Sequence, residues 1–163
     1  MQSEVADNKV DVIIGDNCQF KNQFFNCNAG SVLTIGKNCT FKSDTNISVT
    51  NGNSVRIGDD CMFSFGIQIH CGDAHSIFDL KSRKRLNPLG TQKIEIGNHV
   101  WCGYRVNMLA PFKIGNGSII GAGSLAKGIY NENNIIIAGV PSRKIRNDVV
   151  WERDNTIEEI YPL

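Results

Sequence analysis

Cut every six residues, residues 96–131 read IGNHVW, CGYRVN, MLAPFK, IGNGSI, IGAGSL and AKGIYN. The first position of each hexad is Ile96, Cys102, Met108, Ile114, Ile120 and Ala126, all apolar or small. Four residues further on stand Val100, Val106, Phe112, Ser118 and Ser124, again apolar or small. A helix needs apolar residues about every 3.6 positions and a plain strand about every 2, so neither explains a period of six. A short strand, a tight corner and a next strand does. Two side chains per hexad then point inward, and glycines such as Gly97, Gly103, Gly115 and Gly121 relieve the backbone between them. Three such strands close one triangular coil, and coils stack about 4.8 Å apart through parallel ladder hydrogen bonds.

Working outward, Ile-Gly recurs at 14, 35, 57, 96 and 114, at intervals of 21, 22, 39 and 18. This is an 18-residue repeat with residues inserted at one recurrent place, after each third strand. The sixfold register extends back through Ile57, Phe63 and Ile69, through Ile35, Phe41 and Ile47, and through Ile14, Phe20 and Asn26. Of these inward positions only Asn26 is polar. Cys18, Phe24, Cys39, Cys61 and Ile67 fill the second inward set, so Cys18, Cys39 and Cys61 form a thiol stack. The predicted fold is all-β, a parallel β-helix of about five to six coils over residues 12–141, in one domain. Residues 1–11 are an arm or cap, and the large insert at 75–95 projects from one corner as a loop. Ile145, Val149, Val150 and Ile157 have near-helical spacing, which predicts a C-terminal helix and tail over 142–163 that covers the last coil.

Composition narrows the class. A net charge of +1 gives no reason to expect a nucleic-acid partner. The start, MQSEVADNKV, lacks a signal-peptide pattern, and no apolar run approaches the roughly 18 residues of a membrane span. The six cysteines include no CxxC pair and read as reduced thiols, so the expected location is cytoplasmic.

The hexads IGNHVW, CGYRVN, IGNGSI and IGAGSL, followed by AGVPSRKIR, resemble the hexapeptide-repeat acyltransferases over roughly residues 12–147. The resemblance implies a left-handed coil, against the usual crossover hand, and a homotrimer with active sites between subunits. GDAHSIFD is similar to the catalytic histidine motif of the sugar and polysaccharide O-acetyltransferase branch, and IGNHVWCG carries that branch's tryptophan. The implied activity moves an acetyl group from acetyl-CoA, as co-substrate, to a sugar hydroxyl of a capsule, O-antigen or related glycan. No metal is expected. The helical N-terminal segment of maltose and galactoside acetyltransferases is not found in this chain, which favours polysaccharide-modifying members.

His75 is the expected general base, because acetyl transfer to a hydroxyl needs a group that takes the hydroxyl proton near neutral pH. Asp73 is expected to orient its ring, and Asp73 falls on an otherwise inward register, so the coil must break there. Trp101 lies between inward Val100 and Cys102 and therefore faces outward, toward pantetheine, a sugar ring or a subunit contact. A backbone N–H around Trp101 to Gly103 is the expected oxyanion donor. By resemblance, Gly103, Tyr104, Ala122, Ala126 and Lys127 line the coenzyme path, and Arg143 and Arg146 meet its phosphates. His70, Lys42, Asp44 and Asn46 are acceptor-side candidates, and His99 is structural.

The basic run Lys81-Ser82-Arg83-Lys84-Arg85 reads either as a solvated loop or as an attractor for an acidic glycan. Competing readings are a covalent route through Cys71, an antibiotic or free-sugar acceptor, and a non-catalytic trimeric scaffold. A further one is a γ-carbonic-anhydrase-like zinc site on His70, His75 and His99.

Overall fold

The computed structural model describes residues 9–28 and 30–160. Its strands stack in three parallel ladders. The first face holds β1 (Asp11–Ile14), β4 (Val32–Ile35), β7 (Ser54–Ile57), β10 (Lys93–Ile96) and the end of β12 (Asn107–Ile114). The second holds β2 (Gln19–Phe20), β5 (Thr40–Phe41), β8 (Met62–Phe63), β11 (Trp101–Cys102), β13 (Ile119–Ile120) and β15 (Ile136–Gly139). The third holds β3 (Gln23–Cys27), β6 (Thr45–Val49), β9 (Gln68–Cys71), the start of β12 and β14 (Leu125–Ile129). Each strand pairs with its counterpart one coil away, which is the architecture the hexads predict.

The inward registers form the core. From Ile35 to Ala126 every first-position residue of the sixfold set is at most 4 % exposed. Phe41 and Phe63 stack with ring centroids 4.4 Å apart, and Phe20 stacks on Phe41 at 5.0 Å. The thiol column is present. Cys18, Cys39 and Cys61 each donate to the carbonyl of Gly36, Gly58 and Gly97 in the next coil, at 3.0, 3.1 and 3.2 Å. Hydrogen bonding to Cys39 and burial push the Cys61 thiol well up, so it packs as a neutral side chain.

At the corner between the first and second faces, Asp59, Asn98, Asn116 and Asn133 each accept from a backbone N–H of the preceding coil, at 2.8–2.9 Å. A Cβ on Gly97 would lie 2.5 Å from Asn116 Oδ1, which is why the corner demands glycine.

Two sequence expectations fail here. In the first coil Phe25 and Cys27 pair with Ile47 and Val49 and turn inward, whereas Phe24 is 62 % exposed and Asn26 is exposed. The corner before β3 is one residue shorter than in later coils, and a one-residue slip sends every side chain to the other side. Ile14 and Phe20 keep the inward register but remain exposed, because the first coil has a ladder neighbour on one side only.

The C-terminal helix is the second failure: no helix occurs among the described residues. Ser142–Arg146 forms β16, antiparallel to β15, because the open edge of the last coil offers unpaired backbone groups. Residues after it run back down the first corner: Val149 N–H donates to Asn134 O, and Trp151 packs on His99. The predicted arm lies outside the described residues at 1–8, and Asp11 already belongs to β1.

Candidate active site

The chain leaves the coil at Gly72, whose φ of 119° lets the backbone turn out, and rejoins it at Lys93. Asn87 pins the root of this loop. Its Nδ2 donates to Asp73 Oδ2 at 2.9 Å and to the His75 carbonyl at 2.8 Å, while its Oδ1 accepts from Ile77 N–H at 2.8 Å. His75 is exposed, and its ring makes no hydrogen bond among the described residues. The backbone of His75 is therefore fixed while its imidazole stays available. Asp73 does not orient that ring; its carboxylate goes to the amides of Asn87 and Gln92, the latter at 3.4 Å. Asp73 is exposed, so the coil does break there.

Trp101 faces outward from the second face, 37 % exposed. Trp101, Ile119, Ile136 and Arg146 occupy one column by ladder pairing, so their backbones are stacked across three steps, about 14 Å from Trp101 to Arg146. Arg143 pairs with Ala138 on the same side. Tyr104 and Ala122 sit exposed at the corner between the second and third faces, and Lys127 points out from the third face.

Ala126 does not line this surface: it is fully buried in the core, because strand alternation turns it opposite to Lys127. Gly103 is buried too, and its N–H donates to Ile120 O at 2.8 Å. The Trp101 N–H donates to Ser118 O at 2.9 Å. The N–H groups at the two ends of the expected oxyanion segment, Trp101 and Gly103, are thus consumed by the ladder.

Around the corner between the second and third faces, Asp44, Phe65, Gln68, Tyr104, Arg105 and Asn107 line a groove of roughly 500 Å³. It collects two predicted residues, Asp44 and Tyr104. Lys42 opens instead into a second groove beside it, with Phe20 and Lys21. Asn46 is half-buried and its Oδ1 accepts no hydrogen bond among the described residues. His70 faces outward on the third face, paired with Ser48 and Leu109.

These placements divide the predicted residues. The His75 loop leaves the corner where the third face meets the first, whereas Trp101 lies on the second face, which does not touch that corner. One chain alone does not join them.

His99 is engaged as a structural residue. Its Nδ1 bonds Asp60 at 2.7 Å, its Nε2 bonds the Trp151 carbonyl at 3.0 Å, and its ring stacks on Trp151. The three histidines do not gather, and no three metal-ligating side chains cluster among the described residues. Cys71 is buried, and burial pushes its thiol to about 11, which removes it as a nucleophile.

Sequence reasoning misses Asn87, Trp151 and Arg153. A tryptophan beside Val149 and Val150, after the hexads have ended, is the available signal for the second.

No family model matches the chain. It is 29 % identical to the polysialic acid O-acetyltransferase of Neisseria meningitidis, over 98 % of this chain and 87 % of that one. It is 32 % identical to the galactoside O-acetyltransferase of Escherichia coli, over 72 % of this chain but only 55 % of the other. Among solved structures, a polysialic acid O-acetyltransferase superposes with a TM-score of 0.76 at 25 % identity, covering 93 % of this chain and 81 % of that one. A galactoside acetyltransferase in complex with coenzyme A superposes with a TM-score of 0.60 at 27 % identity, covering 85 % and 65 %. By its stacked hexads and these likenesses, the chain belongs to the sugar O-acetyltransferase branch of the hexapeptide-repeat acyltransferases.

Proposed function

We propose that this protein transfers the acetyl group of acetyl-CoA to a hydroxyl of a bacterial surface glycan, with His75 as general base. The carrying observation is the exposed imidazole of His75, unengaged among the described residues while Asn87 fixes its backbone. A sugar hydroxyl beside it would lose its proton to a ring nitrogen as its oxygen attacks the thioester carbonyl. The carbon–sulfur bond then breaks, and the imidazolium returns the proton to the departing thiolate. Acetyl-CoA supplies the activated acyl group. Trp101, Tyr104 and Ala122 are the residues proposed to bind its arm, and Arg143 and Arg146 its phosphates.

Because His75 and Trp101 stand on different sides of one prism, the reading requires a homotrimer in which neighbouring copies face them toward each other. The coil is taken as left-handed, like its family, and six free thiols fit the cytoplasm. His70, Asp44 and Asn46 remain acceptor-side candidates.

The test measures coenzyme A release with acetyl-CoA and a panel of acidic and neutral glycans. His75→Ala should lower the rate at least a hundredfold with an unchanged melting temperature. Transfer by the variant at near wild-type rate would refute the assignment.

A further inference from the structure

After β16 the chain runs as a strap down the corner between the first and second faces, and there Trp151 and His99 grip each other twice. Trp151 Nε1 donates to the His99 carbonyl at 2.9 Å, and His99 Nε2 donates to the Trp151 carbonyl at 3.0 Å. The two rings stack with centroids 4.0 Å apart, and the Arg153 guanidinium stands 6.0 Å from the Trp151 ring. Arg153 in turn donates to Thr40 Oγ1 and to the Asn38, Asp60 and Cys61 carbonyls of lower coils. The Trp151 indole is therefore buried and fixed in direction. It turns toward Trp101, with centroids 6.1 Å apart and the ring planes at 43°. Along the ladder Trp101 has Met62 on one side and Ile119 on the other, so Trp151 supplies the wall on the side of the corner. An outward indole without that wall has only its rotamer preference to orient it.

We infer that Trp151 is a positioning residue for the coenzyme: the strap it anchors holds the Trp101 ring ready for the pantetheine arm. The inference rests on the coenzyme-binding role proposed for Trp101 above and adds the element that orients it. Arg143 and Arg146, proposed for the phosphates, precede the strap on β16, which is held separately by its ladder to β15. Loss of the wall therefore acts on the arm of the coenzyme and leaves its phosphates alone. A side chain ordered before binding spares the complex the cost of ordering it.

The chain has two tryptophans, so Trp151→Ala and Trp151→Phe each leave Trp101 as the sole indole emitter. The experiment measures binding of coenzyme A to the full-length protein by calorimetry, together with acrylamide quenching of the emission. Adenosine 3′,5′-bisphosphate, which carries phosphates without the arm, is titrated alongside. Trp151→Ala should bind coenzyme A about fivefold more weakly, the size expected for one side chain that must now be ordered on binding. Its Trp101 emission should be quenched more strongly than in Trp151→Phe, and bound coenzyme A should remove the difference. Trp151→Phe keeps a ring on His99 and should bind coenzyme A within about twofold of wild type. The bisphosphate should bind all three proteins alike. Equal coenzyme A affinity in Trp151→Ala and wild type would overturn the inference. So would a loss that Trp151→Phe does not recover, or one that the bisphosphate shares. If wild type binds no coenzyme A, the coenzyme reading of Trp101 fails and takes the inference with it. If coenzyme A binds and shields Trp101 in every variant with equal affinity, the inference alone fails.

Discussion

Trp151→Ala should free the C-terminal segment from the corner it covers. The indole is 5 % exposed, stacks on His99 with centroids 4.0 Å apart, and donates from Nε1 to the His99 carbonyl at 2.9 Å. Losing a buried tryptophan costs about 3–5 kcal/mol. The remaining anchors are weaker. Val149 N–H donates to Asn134 O, and the Trp151 carbonyl keeps its bond to His99 Nε2. Arg153 donates to Thr40 Oγ1 and the Asn38, Asp60 and Cys61 carbonyls, and meets the Asp60 carboxylate in a pair whose side chains are 35 % and 42 % exposed. Such pairs contribute about 0–1 kcal/mol, and a hydrogen bond about 1 kcal/mol. The loss should therefore appear as local opening rather than global unfolding. A shift of about 3–5 kcal/mol corresponds to roughly two to four powers of ten in the opening equilibrium.

Hydrogen exchange reads this directly. Protection of the Val149 amide should fall at least a hundredfold, while the Ile119 amide, bonded to Ile135 O inside the ladder, should keep its protection. Trp101, whose ring centroid lies 6.1 Å from that of Trp151, should become more solvated, with red-shifted emission. Unchanged protection at Val149, or equal loss at Ile119, would refute the reasoning.

Two further outcomes follow from the titrating groups. Burial pushes Asp60 up, but hydrogen bonds from His99 and Arg153 and their charge outweigh it and hold the carboxyl below its usual value. Its contribution is therefore complete above about pH 4 and disappears as pH falls through the lower folded value; Val149 protection should drop on acidification, and Asp60→Asn should flatten that drop. Iodoacetamide at neutral pH should leave Cys71 unlabelled by mass spectrometry until the protein is unfolded, and Cys71→Ala should retain transfer; rapid native labelling with loss of activity would restore the covalent route.

The fold is legible because the hexad writes two inward side chains and a corner into each six residues, and burial of Ile57, Phe63, Ile69 and the column above them follows that rule. The rule misleads where a corner loses one residue, so the sixfold count puts Asn26 inward although Phe25 takes the place. It misleads again at Ile145, 63 % exposed, and Val150, 46 % exposed, whose spacing imitates a helix while the segment serves as an edge strand and a strap.

Of the candidate site, the placement of two residues is legible: outward Trp101 and His75 near the loop root both follow from register. The partners of Asp73 are not, because Asn87 and Gln92 lie across a loop whose closure leaves no period in the sequence. Ala126 shows the opposite conflict. Its inward register contradicts the role that resemblance gives it, and the register prevails.

The most direct measurement mixes two inactive proteins, His75→Ala and Trp101→Ala, after dissociating and reassembling them together. If each site takes His75 from one copy and Trp101 from its neighbour, random 1:1 reassembly should restore about a quarter of wild-type acetyl transfer. No activity above the separate variants, from trimers shown to have exchanged subunits, would contradict a site built between copies.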